Sequence, residues 1–124
     1  MNVKRLCWLG VGTSEYDRMV EFLRDVMGLQ VELEREASTE LSLPSEDRVQ
    51  VFAPGDPYYE LFDRHARGPV ALFEVDDVHA AREELEEAGI EVLGSIESDD
   101  VWEWTNFVAP DGNLYELASR RATR

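Results

Sequence analysis

Apolar side chains alternate over residues 6–13, with Cys7, Leu9 and Val11 on one side and Leu6 and Trp8 on the other, which predicts a strand softened by Gly10 and Gly12. Tyr16, Met19, Val20, Leu23, Val26 and Met27 then recur at helical spacing against a mostly charged opposite side. Thr13 or Ser14 can cap that helix and Gly28 can stop it. Strands are predicted at 29–36, 39–43 and 48–53. Residues 54–68 carry turn formers and the aromatics Tyr58, Tyr59 and Phe62, and read as a connector with one short helical turn.

The order then repeats. A strand at 70–76 leads to Asp76 or Asp77 as a cap, and to a helix whose apolar stripe is Val78, Ala81, Leu85 and Ala88, stopped at Gly89. A strand at 90–93, a polar loop at 94–100, a strand at 101–108, a turn and a closing strand complete it. This is β-α-β-β-β twice, and the copies keep register: Pro44 and Pro110 lie 66 residues apart, as do Gln50 and Glu116. The division expected is a first module at 1–54, a connector at 55–68 and a second module at 69–124, within one domain.

The closing strand poses a chemical problem. Pro110 presets a turn and Asp111-Gly112-Asn113 complete it. Leu114, Glu116 and Ala118 then share one face and Tyr115 and Leu117 the other, which sets a carboxylate mid-strand among apolar neighbours. Even a neutral polar group costs about 2–7 kcal/mol to bury unpaired. Glu116 therefore needs a metal, a donor, a ligand or water.

Pro110-Asp111-Gly112-Asn113-Leu114-Tyr115-Glu116-Leu117 resembles the closing hairpin of the vicinal oxygen chelate superfamily, which includes glyoxalase I, bleomycin-resistance proteins and extradiol dioxygenases. Phe22 to Leu29 is similar to the end of that family's first helix, with Leu23 where Tyr is common, and Phe73 to Val78 to its second strand-to-helix step. The resemblance implies an α+β fold: two βαβββ modules whose strands form an open, curved, eight-stranded barrel-like sheet with helices outside. Alternation then puts Cys7, Leu9, Val11, Leu41, Leu43, Val51, Phe73, Val75, Phe107 and Leu117 against the helices. Leu6, Trp8, Glu40, Ser42, Arg48, Gln50, Phe52, Val70, Leu72, Glu74, Trp102, Trp104, Asn106, Leu114 and Glu116 face the concavity.

Composition narrows the function. The formal charge of −15 argues against nucleic acid and anionic membranes as partners and favours cationic partners or none, and a solvated acidic surface that aids solubility is the simplest explanation of it. No apolar run reaches membrane-span length and residues 1–6 lack a signal peptide's apolar segment, so a cytoplasmic location is expected. Cys7 is the only cysteine, which precludes an internal disulfide, and it reads as a small buried apolar residue without a partnering base.

Metal-using members of the superfamily place ligands at four cavity positions, which here are Trp8, Gln50, Val70 and Glu116. Only Glu116 is a strong donor, against the three or so that a catalytic zinc requires. His79 falls in the first turn of the second helix and His65 in the connector, both toward solvent. No metal or other cofactor is therefore expected. The expected function is that of a glyoxalase/bleomycin-resistance-like protein binding an aromatic or cationic organic ligand. Trp8, Gln50, Phe52, Val70, Leu72, Trp102, Trp104, Asn106 and Glu116 are its candidate site residues. The tryptophans fill core space as readily as they contact a ligand. The alternatives are a metal-dependent glyoxalase- or dioxygenase-type enzyme, or a metal-free isomerase or lyase with Glu116 as base. Short members of the superfamily commonly dimerise, so a homodimer is expected, with Tyr58, Tyr59 and Phe62 as contact or lid. Light scattering at twice the chain mass would bear the dimer out, and a monomer mass would dismiss it.

Overall fold

The computed structural model describes residues 1–122. Strands β1 (Val3–Gly12), β2 (Gln30–Glu34), β3 (Ser38–Ser42), β4 (Arg48–Phe52), β5 (Val70–Val75), β6 (Glu91–Ser98), β7 (Trp102–Val108) and β8 (Leu114–Arg120) form one open sheet in the order β2-β3-β4-β1-β5-β8-β7-β6. β1 runs parallel to β4 and β5 parallel to β8, while β1 and β5 meet antiparallel at the centre. Helices α1 (Tyr16–Glu21) and α3 (Val78–Glu87) occupy equivalent places in the two β-α-β-β-β runs, and α2 (Pro57–His65) lies between them.

The helix ends follow their local chemistry. Glu15, not Thr13 or Ser14, is the N-cap residue of α1, which has no side-chain cap although Thr13 Oγ1 accepts from the Glu15 amide, and Asp77, not Asp76, caps α3 by accepting from the His79 and Ala80 amides. α1 runs on into a π-helical turn, Phe22–Val26, in which the Met27 amide reaches the Phe22 carbonyl. Gly28 and Gly89, at φ of 77° and 78°, end the two segments, and the amides that follow bond back to Leu23 and Leu85.

Two apolar clusters cement these helices to the convex side of the sheet. Val20 and Leu23 meet Leu41 and Val51, while Val78, Ala81 and Leu85 meet Val75, Phe107 and Leu117. A third cluster lies on the opposite side. Phe62 of α2 is buried against Phe52, Val70 and Leu114, with Trp8 and Tyr58 beside them. Each fully buried Leu or Val contributes roughly 1.5–3 kcal/mol, so α2 is a structural element of its own. The connector is thus a nine-residue helix where the sequence pattern had suggested one turn. Asp56 caps it by accepting from the Tyr58 amide at 2.8 Å, and Pro57 takes the first helical position. It closes one end of the concavity.

Three further expectations are corrected. Residues 94–98 belong to strand β6, not to a polar loop; β6 is an edge strand, interrupted by an irregularity between Leu93 and Glu97, and its solvent exposure explains the lack of alternation. In β1 a bulge between Leu6 and Trp8 exchanges the sides of Leu6 and Cys7. Leu6 pairs with Phe73 and is 54% exposed, whereas Cys7, 8% exposed, joins the concave wall. Leu43, expected beneath a helix, is exposed at the end of β3.

Gly10 is required by a close approach. A Cβ there would lie 2.2 Å from the far edge of the Trp8 indole and 2.8 Å from the Phe62 ring. Gly10→Ala should displace the indole and cost about 1–3 kcal/mol in urea unfolding. An unchanged midpoint and unchanged tryptophan emission would contradict this packing.

Candidate functional site

The concave side encloses a cavity of about 680 Å³. Trp8 and Leu72 pair across the central seam, and Leu72 pairs in turn with Glu116. Trp102 and Trp104 follow on β7, where the regular ladder with β8 keeps both facing inward, opposite Arg120 and Ala118. Of the nine candidate residues, Trp8, Gln50, Phe52, Leu72, Trp102, Trp104 and Glu116 line this space. Val70 does not, since it is fully buried beneath α2 with Phe62 and Leu114. Asn106 is not part of the lining either, although it shares the face of Glu116, which it opposes in the β7–β8 ladder, and is buried there. Ser42 also stays out of the cavity and donates to Glu32, and Glu74 is engaged by Arg5 at 2.8 Å.

The aromatic wall is internally braced. The Trp8 ring meets Phe62 edge-on at 6.4 Å and tilts against Phe52 at 6.2 Å. Its indole N–H donates to Gln50 Oε1 at 3.2 Å. Tyr58 extends from α2 over the cavity and donates to Glu97 of β6 at 3.1 Å, so a single hydrogen bond ties the connector helix to the edge strand. Burial, then the Glu97 charge, raises the Tyr58 phenol well above its ordinary value, although the Trp104 indole works the other way.

Glu116 is the electrostatic anomaly. It is 3% exposed, its Oε2 has no hydrogen-bond partner, and the same is true of Asn106 Oδ1 across the ladder. Desolvation, with a smaller push from Glu97, raises its pKa to about 8, so the group is mainly a neutral acid at pH 7. A proton on the carboxyl would give the two orphaned oxygens a shared donor. Cys7 is also pushed up by burial, despite Arg5, and so is a poor nucleophile.

Several lining residues escaped the sequence pattern. Asp56 and Tyr58 belong to the unrecognised helix, Arg5 and Cys7 enter through the bulge, and Asp99 follows the unrecognised end of β6. Arg120 lies beyond the recognisable closing motif, although alternation from Glu116 through Ala118 reaches it.

The sequence matches the model of the Glyoxalase/Bleomycin resistance protein/Dioxygenase superfamily over residues 5–117. The chain belongs to this superfamily. Solved members share the architecture. A superfamily member from Vibrio splendidus 12B01 superposes with a TM-score of 0.71 at 17% identity, covering 95% of this chain and 99% of that one. Methylmalonyl-CoA epimerase from Mycobacterium tuberculosis gives 0.70 at 21% identity, covering 97% and 90%. The Mn(II)-bound glyoxalase from Novosphingobium aromaticivorans gives 0.73 at 22% identity; 99% of this chain matches 42% of that longer one. At such identities the likeness describes the fold. No curated protein matches the chain by sequence.

The four superfamily ligand positions can be tested for fit. Glu116 offers a carboxylate, and the Gln50 amide oxygen already accepts from Trp8. Trp8 has no lone pair to donate, and Val70 is sealed under α2. Among the described residues no group of three His, Cys, Asp or Glu side chains is disposed to hold a metal ion.

The Glu116 shift predicts a pH dependence. Between its ordinary pKa of 4.5 and about 8, the folded protein keeps a proton that the unfolded chain has released. This group's contribution is therefore fully favourable below pH 4.5 and is lost as the pH rises through 8. The loss is on the order of 3–5 kcal/mol. Tm should fall from pH 5 to pH 8.5 in the wild type, while Glu116→Gln should flatten the profile and be the more stable protein at pH 8.5. Parallel profiles for the two proteins would show that Glu116 is ionised in the fold.

Proposed function

We propose that the protein binds a flat aromatic organic molecule in the tryptophan-lined cavity, without a resident metal. The observation that carries this reading is the Trp8 indole. It stands at one superfamily ligand position and engages the Gln50 oxygen of a second. With Val70 covered by α2, two of the four positions are apolar and a third is occupied by an internal hydrogen bond. The remaining space has the size and aromatic lining of a small-molecule site.

Wall chemistry narrows the ligand. Arg5, Arg35, Arg48 and Arg120 line the cavity, against four carboxylates besides Glu116, namely Glu40, Glu46, Asp56 and Asp99. That balance offers a cation little net attraction, whatever the charge of the whole chain, and the Trp102 face is already taken by Arg120 at 4.6 Å. The flat aromatic body is the feature recognised.

A second reading, a metal-free isomerase or lyase, is favoured by one observation: Glu116 is a buried acid at the cavity wall with a pKa of about 8. It requires turnover that changes near pH 8 and is abolished in Glu116→Gln. The binding reading instead expects that variant still to quench tryptophan emission when titrated with planar aromatic compounds.

Protein purified without chelators should carry well under about a tenth of an atom of zinc, iron, nickel or manganese per chain by elemental analysis. A stoichiometric metal would overturn the proposal, as would a failure of any planar aromatic compound to change tryptophan emission.

A further inference from the structure

Only 12 of the 124 residues are Lys or Arg, yet four arginines line this one cavity. What each is bonded to distinguishes them. Arg5 is saturated, with Glu74 at 2.8 Å and Asp47 at 2.7 Å. Arg48, the next residue after Asp47, has only long contacts, to Glu40 Oε1 at 3.4 Å and to the Glu46 carbonyl at 3.3 Å. Arg120 has no carboxylate partner among the described residues; its guanidinium lies over the Trp102 ring at 4.6 Å.

Asp99, which lines the same cavity, does not serve Arg120 either, and its Oδ1 accepts from the Val101 and Trp102 amides. The ladder places Arg5 and Arg120 at one end of the cavity, since Arg5 pairs with Glu74, Glu74 with Ala118, and Arg120 follows Ala118 on the same face of β8, and the Arg5–Asp47 ion pair ties the start of β4, where Arg48 stands, to that end. Arg5 and Arg120 both act on Cys7 from this end, but Glu74 and Asp47, which hold Arg5, oppose them, so the uncompensated positive charge here is that of Arg120. A guanidinium stacked on an indole keeps its planar N–H edge free and fixed, a geometry suited to bidentate binding of carboxylate or phosphate.

We propose that the ligand carries an anionic group, held by Arg120 on its Trp102 platform with Arg48 as the second arm, while its aromatic body lies between the tryptophans. This rests on the aromatic-ligand reading above and adds the charge of the substrate class. Carboxylate and phosphate share the required chemistry.

The test uses tryptophan-fluorescence titration of the full chain with 2-naphthoate, 2-naphthyl phosphate, 2-naphthalenemethanol and 2-naphthylmethylamine. At least one anion should bind about tenfold tighter than the alcohol, and the amine weaker than either. The tighter of the two anions identifies the preferred group. In Arg120→Gln the anion-to-alcohol preference should collapse to about one, Arg120→Lys should keep part of it, and Arg48→Gln should reduce it. Added salt should erode it in the wild type. The inference is overturned if the alcohol binds as well as both anions, if the amine binds tightest, or if Arg120→Gln leaves the preference intact. In those outcomes the aromatic reading stands. If none of the four probes binds, both fall together.

Discussion

Trp8 is the residue on which the concave side is built. Its ring needs the missing side chain of Gly10 beneath it, packs against Phe62 of α2 and Phe52 of β4, and directs its N–H to Gln50. It therefore links the central strand, the connector helix and the neighbouring strand through one rigid side chain. The proposed metal-free pocket depends on the same indole, so the cohesion of the fold and that proposal rest on one side chain.

Glu116 shows the opposite relation between stability and site. Burying its carboxyl among apolar groups works against folding near neutral pH, because the unfolded chain ionises more readily. An apolar residue would suit the strand better. Retention of an acid with an orphaned oxygen, facing an orphaned Asn106, is the kind of local cost associated with binding or chemistry.

Much of this was legible in the sequence because β7 and β8 pair without interruption. Counting by twos from the Pro110 turn correctly turns Glu116, Trp104 and Trp102 inward. Where the ladder slips, counting fails: the β1 bulge exchanged Leu6 and Cys7, and the irregularity in β6 disguised a strand as a loop. The α2 helix was hidden by Pro54, Gly55 and Pro57, which read as turn residues. Asp56-Pro57 is equally a helix start, and only the burial of Phe62 decides between the two. Val70 illustrates a further limit. Alternation gave its face correctly but could not say that a helix would cover that face. The arginine at 120 required following the strand past the part that resembles relatives.

The strand order has a consequence for how the molecule is made. β1 holds the centre of the sheet, between β4 and β5, yet leaves the ribosome first. Its parallel partner begins at Arg48 and its antiparallel partner at Val70, so Trp8, Leu9 and Val11 wait with both ladder edges bare until Arg48–Phe52 is made, and with one edge bare until Val70–Val75 follows. Closing such distant pairings is slow. The dense carboxylates along the rest of the chain keep nascent copies apart by mutual repulsion during that interval, a service the acidic composition performs before any pocket exists.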